Sequence, residues 1–425
     1  MQTDIFIAGS GCAGLYCALQ LPDSLKVTVI TKSDAEKSDS FLAQGGICVQ
    51  RDDDDFDAFF EDTLKAGHYE NNPDSVRTMI ASSRDVIQDL ESYGVRFTKN
   101  PDGSFMYTRE GAHSKPRILY HRDITGREIT SCLLQKAKEK PNIEILEHTT
   151  LLDILVREGE CVGAVIRTAD GKTETVSAKY TVLATGGIGG LFRHSTNFKH
   201  LTGDALGVAL KHGIELKDVS YIQIHPTTLY TEEEERSFLI SESVRGEGAK
   251  LYDKTFHRFT DELQPRDLLT QAILEQMHKD NTSHVWEDLR PIPKDEIQSH
   301  FPNIAEKCAE KGYDVYNECI PVVPAQHYFM GGIRVDLNSK TSMEGVYAVG
   351  ETACNGVHGK NRLASNSLLE SLVFAKKAAL DMASHPREAA VLPEIDLSAY
   401  GDSEKILQGY REAVLNQIEK EKNYV

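Results

Sequence analysis

A chain of 425 residues is too long for one ordinary hydrophobic core and implies two or three domains. Its apolar and charged fractions, 40% and 26%, are those of a soluble globular protein, and no stretch approaches the roughly 18 uninterrupted apolar residues of a membrane span. The net charge of -18 disfavours nucleic acid or any other polyanion as a partner.

The first apolar run, residues 5–8, reads as a strand and leads through Gly9-Ser10-Gly11-Cys12-Ala13-Gly14 into a helical segment over residues 15–21. This is the strand, glycine turn, helix context of a dinucleotide fingerprint. Gly9 allows the tight turn, Gly11 lets backbone approach a pyrophosphate, and Gly14 lets the helix pack close on the strand. The helix start offers free N–H groups and a positive dipole end to the phosphates. The second strand, residues 27–30, runs into Thr31 and Lys32, with no acidic residue to hold a nicotinamide ribose, which favours FAD over NAD.

Small polar residues over 38–47 read as a loop, and the acidic run at 52–55 reads as a solvated face. Helical spacing over 75–93 closes at Gly94. A hairpin is expected over 95–107 around Asn100-Pro101-Asp102-Gly103. Residues 108–114 are dense in ionisable groups. Alternating runs over 151–166 and 173–176, turning at Asp170-Gly171, form a small antiparallel meander. The buried run at 180–184 ends in Thr185-Gly186-Gly187, a second place for backbone to lie against a cofactor.

From residue 218 to 329 the composition changes, and a second domain inserted into the first is expected. Pro265 suits a first helical position and would put Arg266 in the first turn, where a cation opposes the helix dipole and so invites a functional reading. Residues 345–351 form a strand ending in Gly350-Glu351. Ser367 with Glu370 reads as a capping box opening a helix to about residue 379, whose N-terminus suits a reduced flavin ring. Residues 403–422 read as one charged amphipathic helix.

The eight cysteines include no C-x-x-C pair, so they form neither a zinc nor an iron-sulfur pattern, and no metal site is expected. Their scatter suits a reducing compartment. Without a basic leader before the first strand, a cytoplasmic location is the economical expectation.

Taken together, the glycine loop, the Ala43 to Gly46 and Ala184 to Gly187 turns, His225-Pro226-Thr227, Arg245-Gly246-Glu247-Gly248, Pro265-Arg266-Asp267, Gly350-Glu351 and the run from Asn361 to Glu370 resemble one family. The order of these motifs, from residue 4 to about 380, is similar to that of the succinate dehydrogenase and fumarate reductase flavoproteins, and most closely to their aspartate-oxidising branch. The resemblance implies an α/β fold with an α+β insertion. A Rossmann-like FAD-binding domain would comprise residues 1–217 and 330–384, with a capping, substrate-binding domain over 218–329. Residues 385–425 would form a truncated C-terminal helical segment where members usually carry a longer helical domain.

By the same resemblance, FAD contacts Gly9, Ser10, Gly11, Cys12, Ala13, Gly14, Lys32, Ser40, Phe41, Ala43, Gln44, Gly45, Gly46, Asp204, Glu351, Ser367 and Leu368. Asp39 stands where membrane-complex members have the histidine that attaches FAD covalently, so FAD is expected to be non-covalent. The substrate site is expected between the domains, with His225, Ser241, His327 and Arg362 as the clamp for a four-carbon dicarboxylate; Arg362 can hold a carboxylate in bidentate fashion. Glu110 would face the substrate's amino group. A buried anion is favourable beside an ammonium and repels a bare dicarboxylate.

The implied reaction is FAD-dependent oxidation of L-aspartate to iminoaspartate by hydride transfer to flavin N5, with reoxidation by oxygen or fumarate, as the first step of NAD biosynthesis. Arg266 would protonate carbon in the fumarate half-reaction, with Glu242 and Arg245 as its relay. Arginine normally stays protonated, and the helix start together with Arg245 would make its neutral form accessible. Iminoaspartate is unstable in water, which implies functional coupling to quinolinate synthase. Two other readings stand beside this one. A soluble fumarate reductase or succinate dehydrogenase flavoprotein shares every motif except the Glu110 segment. A non-redox or RNA-modifying FAD-binding protein is opposed by the acidic charge and the dicarboxylate clamp.

Overall fold

The computed structural model describes residues 1–233, 235–389 and 391–422. Two compact units emerge, a larger one of Met1–Leu191, His200–Tyr221 and Phe329–Val425 and a smaller one of Phe192–Lys199 and Ile222–Tyr328. Phe192–Lys199 belongs to the smaller unit because the Ser195 hydroxyl donates to Gln326 Oε1 at 2.6 Å and the Thr196 amide donates to the Gln326 carbonyl at 3.0 Å.

The larger unit is built on a five-stranded parallel sheet. Strand β1 (Ile5–Ala8) lies at its centre, with β2 (Val27–Ile30) and then Ile143–Leu146 on one side, and Tyr180–Leu183 and then Val346–Ala348 on the other. Every residue of β1 and β2 is buried, as expected for a parallel sheet covered on both faces. Helix α1 (Cys12–Gln20) connects β1 to β2 and is buried along its length except at Gln20; Pro22 follows its C-cap, where a helix cannot continue. The chain leaves β1 toward β2 while Tyr180–Leu183 pairs on the opposite side. The C-terminal end of β1 is therefore the switch point at which open α/β sheets bind ligands.

The meander is present as Thr150–Arg157, Glu160–Arg167 and Thr173–Ser177. Helix Ser403–Lys422 packs on Asp204–His212, where Gly207 leaves room for the Tyr410 ring, and the Tyr410 hydroxyl donates to the Leu152 carbonyl at 2.8 Å. Tyr400, Lys211 and His212 all bond the buried Asp153 carboxylate, at 2.6, 2.6 and 2.7 Å. Residue 390 and residues 423–425 of the expected C-terminal segment lie outside the described residues.

In the smaller unit a five-stranded sheet runs Phe238–Leu239, Ile222–Leu229, Ile320–Phe329, Val285–Asp288, Lys250–Tyr252, with Phe329 itself counted in the larger unit. Helices Arg266–Asp280, Lys294–His300 and Pro302–Glu310 cover a core that includes Leu251, Leu269, Ile273, Val285 and Val322.

Several local expectations are corrected. The helix expected over 75–93 is two, Pro73–Ala81 and Ser83–Ser92. The Ser83 hydroxyl donates to the Ile80 carbonyl at 2.7 Å and accepts from the Gln50 amide at 3.0 Å, so side-chain bonding competes with the helical ladder at the break. The turn at Asn100–Gly103 forms, but around a single bridge, Lys99 to Phe105, that is too short for strands. Pro265 is the N-cap and Arg266 the first helical residue. No capping box forms at Ser367. Helix Asn366–Ser384 starts behind Ser365, and the buried Glu370 carboxyl instead accepts from Asn355. The acidic run is not wholly solvated either, because Asp55 is fully buried.

Asp55 is buried to meet Arg117, itself 0% exposed, at 2.9 Å. A second carboxylate, Asp62, lies 2.6 Å from the same guanidinium, and His113 Nδ1 lies 3.0 Å from it. Removing one partner of a buried pair strands the other charge in low dielectric. Arg117→Met should therefore cost about 3–5 kcal/mol of stability, read as a lower denaturation midpoint in urea; an unchanged midpoint would refute the pairing as a structural anchor.

Candidate functional site

At the end of β1 the backbone is packed so tightly that two glycines are obligatory. A Cβ on Gly9, whose φ is +125°, would collide with the Ala184 carbonyl, and one on Gly14 would collide with the carbonyl of Gly9. Gly11 differs: its nearest neighbour would be the Ser40 hydroxyl at 3.3 Å, so the missing side chain leaves approach space rather than a packing contact. Helix α1 begins here with no capping side chain of its own and no acid in its first turn, and its Cys12 amide donates to the Ser40 hydroxyl at 3.1 Å. An oxygen acceptor thus already sits where a phosphate oxygen is expected.

The remaining cofactor residues converge on this end of the sheet. Ser40, Phe41 and the flanking Asp39 lie in a short helix, Asp39–Leu42, followed by Ala43, Gln44, Gly45 and Gly46. Gly46 is required because a Cβ there would strike the Ile118 side chain and the Leu119 carbonyl. The buried Ser38 hydroxyl has no hydrogen-bond partner among the described residues. Lys32 pairs with Asp204 at 2.7 Å, which joins two expected cofactor residues from distant parts of the chain. Glu351, half-buried, lies against Gly187, where a Cβ would overlap its carboxyl, and accepts from the Phe329 amide at 2.9 Å. Burial first, then the charge of Asp39, pushes Glu351 up to about 8, so this carboxyl can be protonated near neutral pH and donate to a hydroxyl-rich ligand. Ser367 and Leu368 lie in the first turn of Asn366–Ser384, a second helix whose start has no capping side chain and no acid. Two such helix starts, the glycine cradle and the buried Ser38 hydroxyl fit an extended dinucleotide with phosphates at one end and an electron-accepting ring at the other.

The expected substrate residues fall into two sets. In the larger unit, the Ser365 hydroxyl donates to Glu110 Oε2 at 2.7 Å and accepts from the Gly46 amide at 3.2 Å. Arg362, buried, donates through Nη1 to the Ser367 hydroxyl at 3.4 Å.

In the smaller unit, the His225 and His327 rings lie 5.5 Å apart, nearly edge to face, and His327 Nδ1 is 2.8 Å from the Thr196 hydroxyl. Burial, then the cations Arg266 and Arg245, hold His225 neutral well below the usual histidine range. Its Nδ1 is 2.9 Å from the Thr227 carbonyl oxygen. Ser241 caps the short helix Glu242–Gly246, accepting from the Ser243 amide at 3.3 Å. That helix carries Glu242, whose carboxylate takes the Arg266 Nε–H at 2.6 Å, and Arg245, which donates to the Glu262 carbonyl at 3.3 Å and to the Thr227 hydroxyl. Burial lowers the Arg245 guanidinium from its ordinary range.

The FAD binding domain model matches residues 4–368. An L-aspartate oxidase of Clostridium perfringens is 52% identical over 383 residues, 90% of this chain and 87% of that protein. One from Pseudomonas aeruginosa is 38% identical over 95% of this chain and 79% of its own length. Among solved structures, a quinol fumarate reductase FrdA of E. coli matches with a TM-score of 0.85 at 31% identity, covering 98% of this chain and 74% of that one. The chain belongs to the L-aspartate oxidase family of FAD-binding flavoproteins. FAD is its cofactor, and Asp39 lacks the imidazole needed for a covalent histidyl link, so the flavin is held non-covalently.

Two residues bonded to expected site residues carry no motif in the sequence. Gln223, buried, accepts from Arg266 Nη1 at 3.3 Å. Its signal was the two-residue spacing from His225 on one strand, which puts both on one face. Ser365 has no local signal for its role; its φ of +62° and contact with Glu110 are visible only in three dimensions. Gly14→Ala should prevent formation of the loop and yield protein without flavin, whereas Gly11→Ala should keep the apo fold by circular dichroism and only weaken FAD binding. Full flavin content in Gly14→Ala would contradict the packing argument.

Proposed function

We propose that the protein oxidises L-aspartate to iminoaspartate with FAD as electron acceptor. The observation that carries this reading is the 52% identity over 90% of the chain to an enzyme of that activity, against 31% to a fumarate reductase. Glu110 supports it, since a carboxylate on the substrate loop favours an ammonium-bearing dicarboxylate over succinate.

When bound, FAD supplies the acceptor for the hydride that leaves C2 of aspartate. The chain's own residues orient and discharge the substrate. Arg362, His225, Ser241 and His327 are assigned to the two carboxylates, and Glu110 to the amino group. His225, kept neutral by burial and by Arg266, acts as a hydrogen-bond partner and not as a second cation. With fumarate as the oxidant, Arg266 delivers the proton to carbon. Its Nε–H rests on Glu242 at 2.6 Å, the route by which a replacement proton arrives, with Arg245 behind it. Arg245, lowered by burial, lies in this same cluster.

The reading extends to the product and the compartment. Iminoaspartate hydrolyses in water, which argues for functional coupling to quinolinate synthase in the first step of NAD biosynthesis. All eight cysteines are unpaired, in keeping with a reducing, cytoplasmic setting. Among the described residues no helix is long and apolar enough to cross a membrane.

Anaerobic titration of the yellow protein should bleach its flavin with L-aspartate and leave it unchanged with succinate; bleaching by succinate alone would establish the dehydrogenase reading instead. Arg266→Leu should retain FAD yet lose fumarate reduction by at least about a hundredfold, the scale of a lost proton donor. Undiminished turnover would remove Arg266 from the mechanism.

A further inference from the structure

The loop bearing Glu110 ends in a buried relay of side chains that sequence motifs did not single out. Arg117 Nη1 donates to His113 Nδ1 at 3.0 Å. A guanidinium has no acceptor, so Nδ1 must be the bare nitrogen and Nε2 the one that carries hydrogen. His113 Nε2 faces the Ala364 carbonyl oxygen at 3.0 Å, and that carbonyl needs a donor. The tautomer is therefore set from one side and used on the other.

Arg117 itself cannot turn away. Asp55 and Asp62 hold it at 2.9 and 2.6 Å, and the Phe59 ring lies 5.0 Å from its guanidinium carbon. Asp62 also takes the Ser114 amide at 2.8 Å and hydroxyl at 2.7 Å, which fixes the end of the Glu110 loop. On the far side, Ala364 directly precedes Ser365, the residue with φ of +62° whose hydroxyl donates to Glu110. The Ser365 carbonyl accepts from the Cys48 amide at 3.1 Å. The Cys48 thiol, 3.6 Å from the Ala364 oxygen, is too weak a donor to replace the imidazole.

We propose that His113 is a positioning residue that, by clamping the Ala364 carbonyl from the Arg117-anchored side, holds the Ser365 hydroxyl on Glu110 and so tunes the enzyme to substrates bearing an amino group. This rests on the assignment of Glu110 to that group. His113 touches neither substrate nor cofactor in this scheme. It acts through the Ala364 carbonyl on the adjoining Ser365.

The test uses purified, FAD-loaded protein and compares wild type, His113→Ala, His113→Gln and Ser365→Ala. His113→Ala and Ser365→Ala should raise KM for L-aspartate about tenfold, the scale of one lost hydrogen bond, with kcat less affected. His113→Ala should keep fumarate reduction with a reduced dye within about twofold, since fumarate has no amine to meet Glu110. His113→Gln, which restores a donor at the Nε2 position, should recover most of the loss. Nitrogen NMR of the wild-type ring should show hydrogen on Nε2 and none on Nδ1. Equal losses on aspartate and fumarate in His113→Ala, no loss at all, or a protonated Nδ1 would each overturn the inference while leaving aspartate oxidation intact. A wild type inert to L-aspartate would instead overturn the functional reading, and the amine selectivity with it.

Discussion

Contact of backbone on backbone at the end of β1 is the constraint on which the larger unit depends. The Gly9 position abuts the Ala184 carbonyl, and the Gly14 position abuts the carbonyl of Gly9, so α1, β1 and the strand Tyr180–Leu183 meet with no side chain between them. That closeness brings the Ala184 to Gly187 turn beside the glycine loop and leaves Gly187 flush against Glu351. A methyl group at Gly9 or Gly14 would force the strands and α1 apart, and one at Gly187 would displace the Glu351 carboxyl. Because β1 and β2 are fully buried, the displacement would also open the core around them.

Two buried arginines show how similar burial serves opposite ends. Arg117 suffers desolvation, but Asp55 and Asp62 more than offset it and raise the guanidinium above its usual range. It is a permanent charge, suited to anchoring a loop. Arg245 is equally enclosed, yet its direct bonds go to a carbonyl and a hydroxyl, and burial wins, so its charge is disfavoured. The first arrangement makes structure. The second leaves a guanidinium whose charged form is less favoured than in water, in the electrostatic reach of Glu242 and Arg266.

How far the sequence could be read follows from the separation of the partners. The fingerprint, the meander, the strand at 180–184 and the helix at 403–422 were legible because each is a local pattern of period or punctuation. Glu110 and its hydroxyl partner stand 255 residues apart, and Lys32 and Asp204 stand 172 apart. No periodicity links such pairs. Family likeness pointed to Glu110, Lys32 and Asp204 individually, but not to Ser365. Composition misled at Asp55: three neighbouring aspartates are indeed solvated, and only the buried Arg117, 62 residues away, explains the fourth. The false capping box at Ser367 arose likewise, since Glu370 answers to Asn355 and not to the start of its own helix.

Selectivity within so close a family has to come from a small number of charges. The fold shared with fumarate reductase at a TM-score of 0.85 shows that the scaffold does not distinguish aspartate from succinate. The two substrates differ by one ammonium group. A carboxylate opposite that group is attractive in one case and repulsive in the other, so a single residue acts on both sides of the discrimination. The gain depends on where the carboxylate points, because Coulomb energy in a partly desolvated site changes steeply over an ångström. Glu110 sits on a glycine-bearing loop that could wander; the Ser365 hydroxyl at 2.7 Å, itself fixed by the Gly46 amide, removes that freedom. On the proposed assignment of Glu110 to the amino group, specificity rests as much on the turn that aims the acid as on the acid itself.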